Sequence, residues 1–147
     1  MTRARRTGPP PLIARLMDPA VYPHPVDRVE LIETHISWVL LAGDRVYKVK
    51  KPVDLGFLDF TTLARRRRAC GDEVRLNRRL APHVYLGVVD IVGRATAPRF
   101  GGPGRAIEVA VMMRRLPAER MLDRLIHDDA VPPELIDAIG RLVARFH

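Results

Sequence analysis

Trp38-Val39-Leu40-Leu41-Ala42-Gly43-Asp44, followed by Arg45-Val46-Tyr47-Lys48-Val49-Lys50-Lys51-Pro52, holds the densest structural signal in the chain. Five apolar residues in a row read as a buried strand. Gly43-Asp44 is a tight-turn pair, although the order Asp-Gly is the commoner signal. The next stretch alternates and ends at Pro52. On a period of two, Val46, Lys48 and Lys50 share one face, and Tyr47 and Val49 share the other. A lysine in mid-strand can sit over a cleft rather than in bulk solvent. Immediately upstream, Val29-Glu30-Leu31-Ile32-Glu33 also alternates, and Thr34-His35-Ile36-Ser37 can turn the chain. Residues 29–51 therefore read as three short strands.

Working outward, residues 61–81 read as a helix, with Thr61 or Thr62 as N-cap and Pro82 as its stop. Leu63, Cys70, Val74 and Ala81 fall near one face, with Leu76 and Leu80 beside it. Residues 84–116 read as a hairpin: Tyr85 to Val92 outward, a Gly- and Pro-rich loop over 93–105, and Ala106 to Met113 back. Residues 119–147 read as helical, broken at Pro132-Pro133, with Asp129 a candidate cap for the second helix. There Leu135, Ile136, Ile139, Leu142, Val143 and Phe146 form an amphipathic stripe that still runs at His147. Residues 1–28 carry Arg3, Arg5, Arg6 and six prolines, and read as a basic arm with one short helix over Leu12 to Met17. The order is β-β-β-α-β-β-α-α, with no internal repeat.

Composition excludes several classes. The 147 residues are 47% hydrophobic and 29% charged, which fits one globular domain and not a disordered chain. The longest uncharged apolar run, Ile36 to Gly43, is far too short for a bilayer, so no membrane partner and a cytoplasmic location are expected. The lone Cys70 excludes an internal disulfide framework and a Cys-rich zinc site. Ser37 is the only serine and Asn77 the only asparagine, so a serine nucleophile or an Asn metal ligand has one candidate each. The formal charge is +8, with every cation but Lys48, Lys50 and Lys51 an arginine. Such an excess of arginine over lysine is what a GC-rich coding sequence tends to give, so basicity alone is weak evidence of function.

The chemistry-bearing residues can be weighed one set at a time. A lysine on the third strand and a glutamate on the following helix, here Lys48 and Glu73, is the arrangement kinases use: the lysine meets ATP phosphates and the carboxylate holds it in place. Spacing alone leaves the bland alternative open, a solvated lysine and a solvated glutamate, and Lys50 competes on the same strand face. Turn 34–37 lies where kinases cover the phosphates, but it has no glycine. Gly101-Gly102-Pro103-Gly104 joins strand to strand and fits neither a Rossmann nor a P-loop pattern. Arg65 to Arg68 with Arg75, Arg78 and Arg79 give residues 61–80 a net charge of +5. Such a face is a candidate nucleic-acid surface, the alternative reading of the chain. The 5% aromatic content argues against stacking platforms, and a solvated face is the simpler account. The five histidines are scattered, and none forms a His-Glu-x-x-His pair.

Longer stretches carry a family resemblance. They are Glu33 to Val39, Gly43 to Pro52, Gly56-Phe57-Leu58-Asp59-Phe60, Glu73 to Pro82, Tyr85 to Val89, Met112 to Pro117 and Ile136 to His147. Across roughly residues 12 to 147 the chain resembles the aminoglycoside-phosphotransferase-like kinase domain of bacterial proteins that fuse it to a gluconate-kinase-type P-loop ATPase. The resemblance implies an α+β, kinase-like N-terminal lobe: a five-stranded antiparallel sheet with one packed helix, then linker helices. It implies an arm over 1–28, the lobe over 29–117 and the start of a second lobe over 118–147. It implies ATP as ligand, Lys48 as phosphate lysine, Glu73 as its partner and Thr34, His35 and Ser37 over the phosphates. Met113 and Arg114 fall in the hinge, Met112 to Leu116, that holds adenine. The family's catalytic loop needs His, Asp and Asn in order, and with Asn77 the only asparagine these 147 residues hold no such segment. The expectation is thus a truncated lobe, inactive alone, with Mg²⁺ and the general base belonging to a missing lobe or a complementary polypeptide.

Overall fold

Gly43 pins the first hairpin. In the computed structural model, which describes residues 8–147, its φ is +60°, and a Cβ there would lie 2.6 Å from the Pro25 carbonyl oxygen. The turn joins β2 (Ser37–Ala42) to β3 (Arg45–Lys50), and β1 (Val29–Glu33) pairs with the outer edge of β2. After α2 (Leu63–Asn77) come β4 (Tyr85–Arg94), β5 (Ala97–Phe100) and β6 (Ala106–Arg114). All pairings are antiparallel, in the order β1-β2-β3-β6-β4-β5. The long return strand β6 is thus inserted between β3 and β4, at the centre of the sheet.

The sheet has six strands, not the expected five. Residues 93–105 are not all loop: β4 turns back at Ala95-Thr96, and Ala97–Phe100 pairs with it. Gly93, φ +92°, admits the turn, because a Cβ would sit 2.7 Å from the Ala97 oxygen. Pro98 lacks an N–H, but β5 is an edge strand, where that loss is tolerated. Pro98 and Phe100 are buried, so the hairpin contributes to the core as well as to the rim.

Each face of the sheet has its own cover. On one face Leu40, Ala42, Tyr47, Val49, Ile91 and Ala110 form a core closed by Ile13, Leu16 and Tyr22. Those last three come from the segment read as an arm. Arg3, Arg5 and Arg6 lie outside the described residues, but from α1 (Pro11–Leu16) onward the chain is packed, with Ile13 1% and Leu16 0% exposed. The Tyr22 hydroxyl donates to the Leu16 carbonyl at 2.8 Å, and its ring stacks on Phe100. On the other face α2 packs chiefly on β6 and β4, joining Cys70 and Val74 to Val109 and Val111.

Helix α2 starts where its cap dictates: the Thr62 hydroxyl accepts from the Arg65 N–H at 3.2 Å. It ends at Asn77, four residues before the expected limit. Its buried face reads Arg66, Cys70 and Val74, whereas Leu76 and Leu80 are exposed.

The described chain divides into two units, the first ending at Arg115 and the second running from Leu116 to His147. In the second, a short 3₁₀ turn precedes α3 (Leu122–His127) and α4 (Pro133–Phe146). Asp129 does not cap α4. Pro132 holds that position, and Asp129 adopts a φ of +50° in the intervening turn. On α4, Ile136, Leu142, Val143 and Phe146 are exposed. No helix among the described residues is long and apolar enough to cross a membrane.

Because Leu16 closes a core rather than decorating a tail, Leu16→Ala should cost about 2–5 kcal/mol of stability. Urea melts of the two proteins check this, and an unchanged midpoint would remove residues 11–16 from the core.

Candidate functional site

The alternation of β3 places Tyr47 and Val49 in the core under α1, which sends Val46, Lys48 and Lys50 to the α2 face. Strand register extends that face in rows. Ile32 lies opposite Val39, Val39 opposite Lys48, and Lys48 opposite Val111. Leu41 lies opposite Val46, and Val46 opposite Met113. Helix α2 sits over the β6 end of these rows. Beyond its edge Val39 and Leu41 are half-buried and Ile32 is half exposed, an apolar strip that starts beside the Lys48 ammonium.

Glu73, in the C-terminal half of α2, reaches back to the sheet. One carboxylate oxygen accepts from Lys48 Nζ, and the other accepts from Lys50 Nζ at 2.6 Å. The Lys48 side chain is 26% exposed, that of Glu73 15% and that of Lys50 7%. Lys50 Nζ also stands 5.2 Å from the centre of the Phe60 ring, a cation–π contact. Burial pushes the Glu73 carboxyl up, but the hydrogen bonds and charges of the two lysines outweigh burial and hold it below its ordinary value.

The turn before β2 is closed on itself. Thr34 Oγ1 accepts from the N–H of Ser37 at 3.0 Å and of Ile36 at 3.4 Å, while the Thr34 N–H donates to the Ser37 carbonyl. Lys51 clamps it from just past β3: its ammonium donates to the Thr34 carbonyl and to Glu33, both at 2.6 Å, and its N–H donates to the Ile36 carbonyl. A shallow hollow there is lined by Glu33, Thr34, His35 and Lys51. Ser37 lies opposite Lys50 and is buried, while Thr34 and His35 stand at the exposed tip. Met113 packs against the Cys70 and Val74 cluster. The N–H groups of Arg114 and Arg115 are taken by the Val84 and Asp44 carbonyls at 2.8 and 2.9 Å, so neither is open to a ligand.

The structure therefore brings Lys48 and Glu73 into contact, sets Ser37 and Met113 on the same face, and holds Thr34 and His35 at the strand end. Sequence reasoning missed the strip formed by Ile32, Val39 and Leu41, the Lys51 clamp and the Phe60 contact. Continuing the period-two count from β3 back through β2 would have found the strip. The clamp is a tertiary contact with no local signal.

This chain is similar to uncharacterized mycobacterial proteins. One is from Mycobacterium bovis and two are from Mycobacterium tuberculosis strains. Each is 38% identical over 127 residues, covering 84% of this chain and 24% of the relative. The chain thus spans about a quarter of the length of the curated relatives it matches. No family model matches, and no solved structure matches.

The arginine run is largely occupied within the protein. Arg66 is buried, donating to Glu108 at 2.9 Å and to the Phe60 carbonyl at 2.8 Å. Arg65 pairs with Asp59, Arg67 with Asp90 and Arg75 with Asp72, and Arg78 donates to the Tyr85 and Leu86 carbonyls. Burial pushes the Cys70 thiol up to about 11, so at neutral pH it is a packed thiol and not a nucleophile. Among the described residues no group of three or more His, Cys, Asp or Glu is placed to hold a metal ion.

The lowered Glu73 carboxyl makes stability depend on acid. As pH falls through its ordinary value of 4.5, the unfolded chain takes up a proton before the folded one does. The stabilisation is full above that value and is lost as pH drops through the folded one. In urea melts at stepped pH, Glu73→Gln should flatten the loss of stability below about pH 5. Two curves of the same slope would mean that the carboxylate is not held by the lysines.

Proposed function

We propose that the unit ending at Arg115 is the nucleotide-binding lobe of an ATP-dependent small-molecule kinase of the aminoglycoside-phosphotransferase-like kind. The observation that carries this reading is the partly buried ion pair between Lys48 on β3 and Glu73 on α2, beside the apolar strip of Ile32, Val39 and Leu41. A cation that binds phosphate must be desolvated enough to act and fixed enough to aim. Glu73 supplies the aim, and partial exposure leaves Lys48 within reach of a ligand. The strip offers an adenine or ribose an apolar floor that register sets next to the phosphate end. Met113, packed on the helix side of the same face, borders that floor.

The turn over residues 34–37 contributes less backbone to a phosphate than a glycine-rich loop does. Three of its N–H groups are used in or around Thr34. His35 at the tip and the Lys51 ammonium behind it are the groups left at that end of the strip.

Among the described residues no group of acidic or histidine side chains fits a catalytic Mg²⁺ centre, and the sole asparagine, Asn77, donates its side-chain amide to the Glu73 carbonyl on α2. This stretch is therefore assigned nucleotide binding and not phosphoryl transfer. In the longer proteins that it resembles, the general base and metal ligands would come from other sequence, in the same polypeptide or a complementary one. A cytoplasmic location goes with this reading, because ATP is supplied there.

Equilibrium binding of ATP to the 147-residue protein tests the proposal. ATP should bind without added Mg²⁺, and Lys48→Ala should weaken it at least about tenfold, as expected on removing a desolvated charge contact. Binding that survives Lys48→Ala unchanged, or that falls steeply with salt as counterion release demands, would overturn it.

A further inference from the structure

The Glu73 carboxylate is shared, and the sharing has an electrostatic consequence. In a simple lysine–glutamate pair the charges cancel, and an arriving anion meets a neutral pair. Here β3 contributes two ammonium groups, Lys48 and Lys50, against one carboxylate from α2. No other carboxylate pairs with either ammonium among the described residues. The neighbouring charges, Arg66 on α2 and Glu108 on β6, pair with each other. Phe60, from the segment before α2, faces Lys50 with a ring and donates no opposing charge. The cluster thus keeps one net positive charge in a partly buried place, where screening is weak.

The two lysines also differ in reach. The Lys50 side chain is 7% exposed and lies between Phe60 and Glu73, whereas that of Lys48 is 26% exposed and borders the open strip. An anion can touch Lys48 and not Lys50. We propose that Lys50 is a positioning residue: it neutralises Glu73 from behind, so that Glu73 still orients Lys48 while the Lys48 charge is left whole for a phosphate. This rests on the nucleotide reading of the Lys48 site.

The test is a charge cycle on the full 147-residue protein. Lys50→Met keeps the length and apolar stem but removes the charge, so the cluster becomes neutral. ATP affinity should then fall about tenfold, the size of one unit of charge stabilisation at such a site. Adding Glu73→Gln to Lys50→Met restores one net positive charge and should recover part of the lost affinity, the remaining deficit being the loss of the carboxylate that aims Lys48. Lys50→Arg, which keeps the charge in a wider head group, should lose less ATP affinity than Lys50→Met. A role in packing alone gives the same loss whether residue 73 is charged or not, and that result, or no loss at all, overturns the proposal. Should Lys50→Met fail to fold by circular dichroism, Lys50→Gln takes its place in the same cycle.

A second readout is independent of nucleotide. Acylation of the Lys48 amine at pH 9 by an amine-reactive ester, read by mass spectrometry, should slow in Lys50→Met, since Glu73 then holds the Lys48 proton alone. It should recover when Glu73→Gln is added. If the unmodified protein binds no ATP while this pattern holds, the nucleotide reading fails and the Lys50 role stands. If the labelling rate of Lys48 ignores Lys50, the Lys50 role fails whatever ATP does.

Discussion

Strand β3 has cover on both faces, and that constraint organises the first unit. A strand in mid-sheet cannot hide an odd residue: each of its six side chains must suit the layer it enters. Tyr47 and Val49 enter the layer closed by Ile13, Leu16 and Tyr22. Val46 enters the layer under α2. Lys48 and Lys50 must enter that layer too, and a buried ammonium needs an acceptor. Glu73 is that acceptor, and it can serve both because lysines two apart on one strand point the same way. The demand of the sheet for a carboxylate and the presence of one on α2 are two sides of a single packing solution.

Helix α2 is fastened by charge as much as by apolar contact. Its apolar interface is small, chiefly Cys70 and Val74 on Val109 and Val111. Arg66 to Glu108, Arg67 to Asp90 and Glu73 to the two lysines add three links from helix to sheet. The exposed Arg67 and Asp90 pair contributes little; the buried links, Arg66 to Glu108 and Glu73 to the lysines, also add little net stability, because desolvation offsets attraction, yet removing one partner there is costly. They fix where the helix lies more than how strongly it is held. That is the property a site needs when a carboxylate on the helix must aim a cation on the sheet.

Much of this was legible because it is periodic. The three strands of residues 29–51, the facing of Lys48 away from Tyr47, and a threonine cap at Thr61 or Thr62 follow from alternation and capping rules, and the structure has the strands, the facing and a cap at Thr62. What was not legible is long-range or locally disguised. Strand β5 hides behind Pro98 and a turn without the usual Asn-Gly or Asp-Gly pair. The packing of α1 depends on a sheet that forms elsewhere, so its short apolar run suggests an arm docked on the domain but not which core it closes. Arg66 sits in a run of four arginines, and nothing local separates the one that faces Glu108 from its neighbours. Of the candidate site, spacing only suggested the Lys48 and Glu73 pair and the family resemblance favoured it, while the sharing with Lys50 required knowing that Phe60 closes off the second ammonium.

The turn over residues 34–37 sharpens what kind of phosphate site this surface can offer. Glycine-rich loops bind phosphate with backbone N–H groups, which demands a chain free to aim them. Here Thr34 draws the Ile36 and Ser37 N–H groups inward, and Lys51 ties the turn at two carbonyls. A turn so committed cannot also wrap a phosphate without losing those bonds. On the nucleotide-binding proposal, anion recognition falls to side-chain ammonium groups rather than backbone dipoles, and the chain's three lysines all stand at residues 48, 50 and 51. In a protein that otherwise uses arginine for every cation, the ammonium groups of Lys48 and Lys50 stand where a strand carries charge into a partly buried layer, and that of Lys51 ties the turn just past it. Lysine suits that place, since a single flexible stem delivers a point charge through a gap that a planar guanidinium would have to widen.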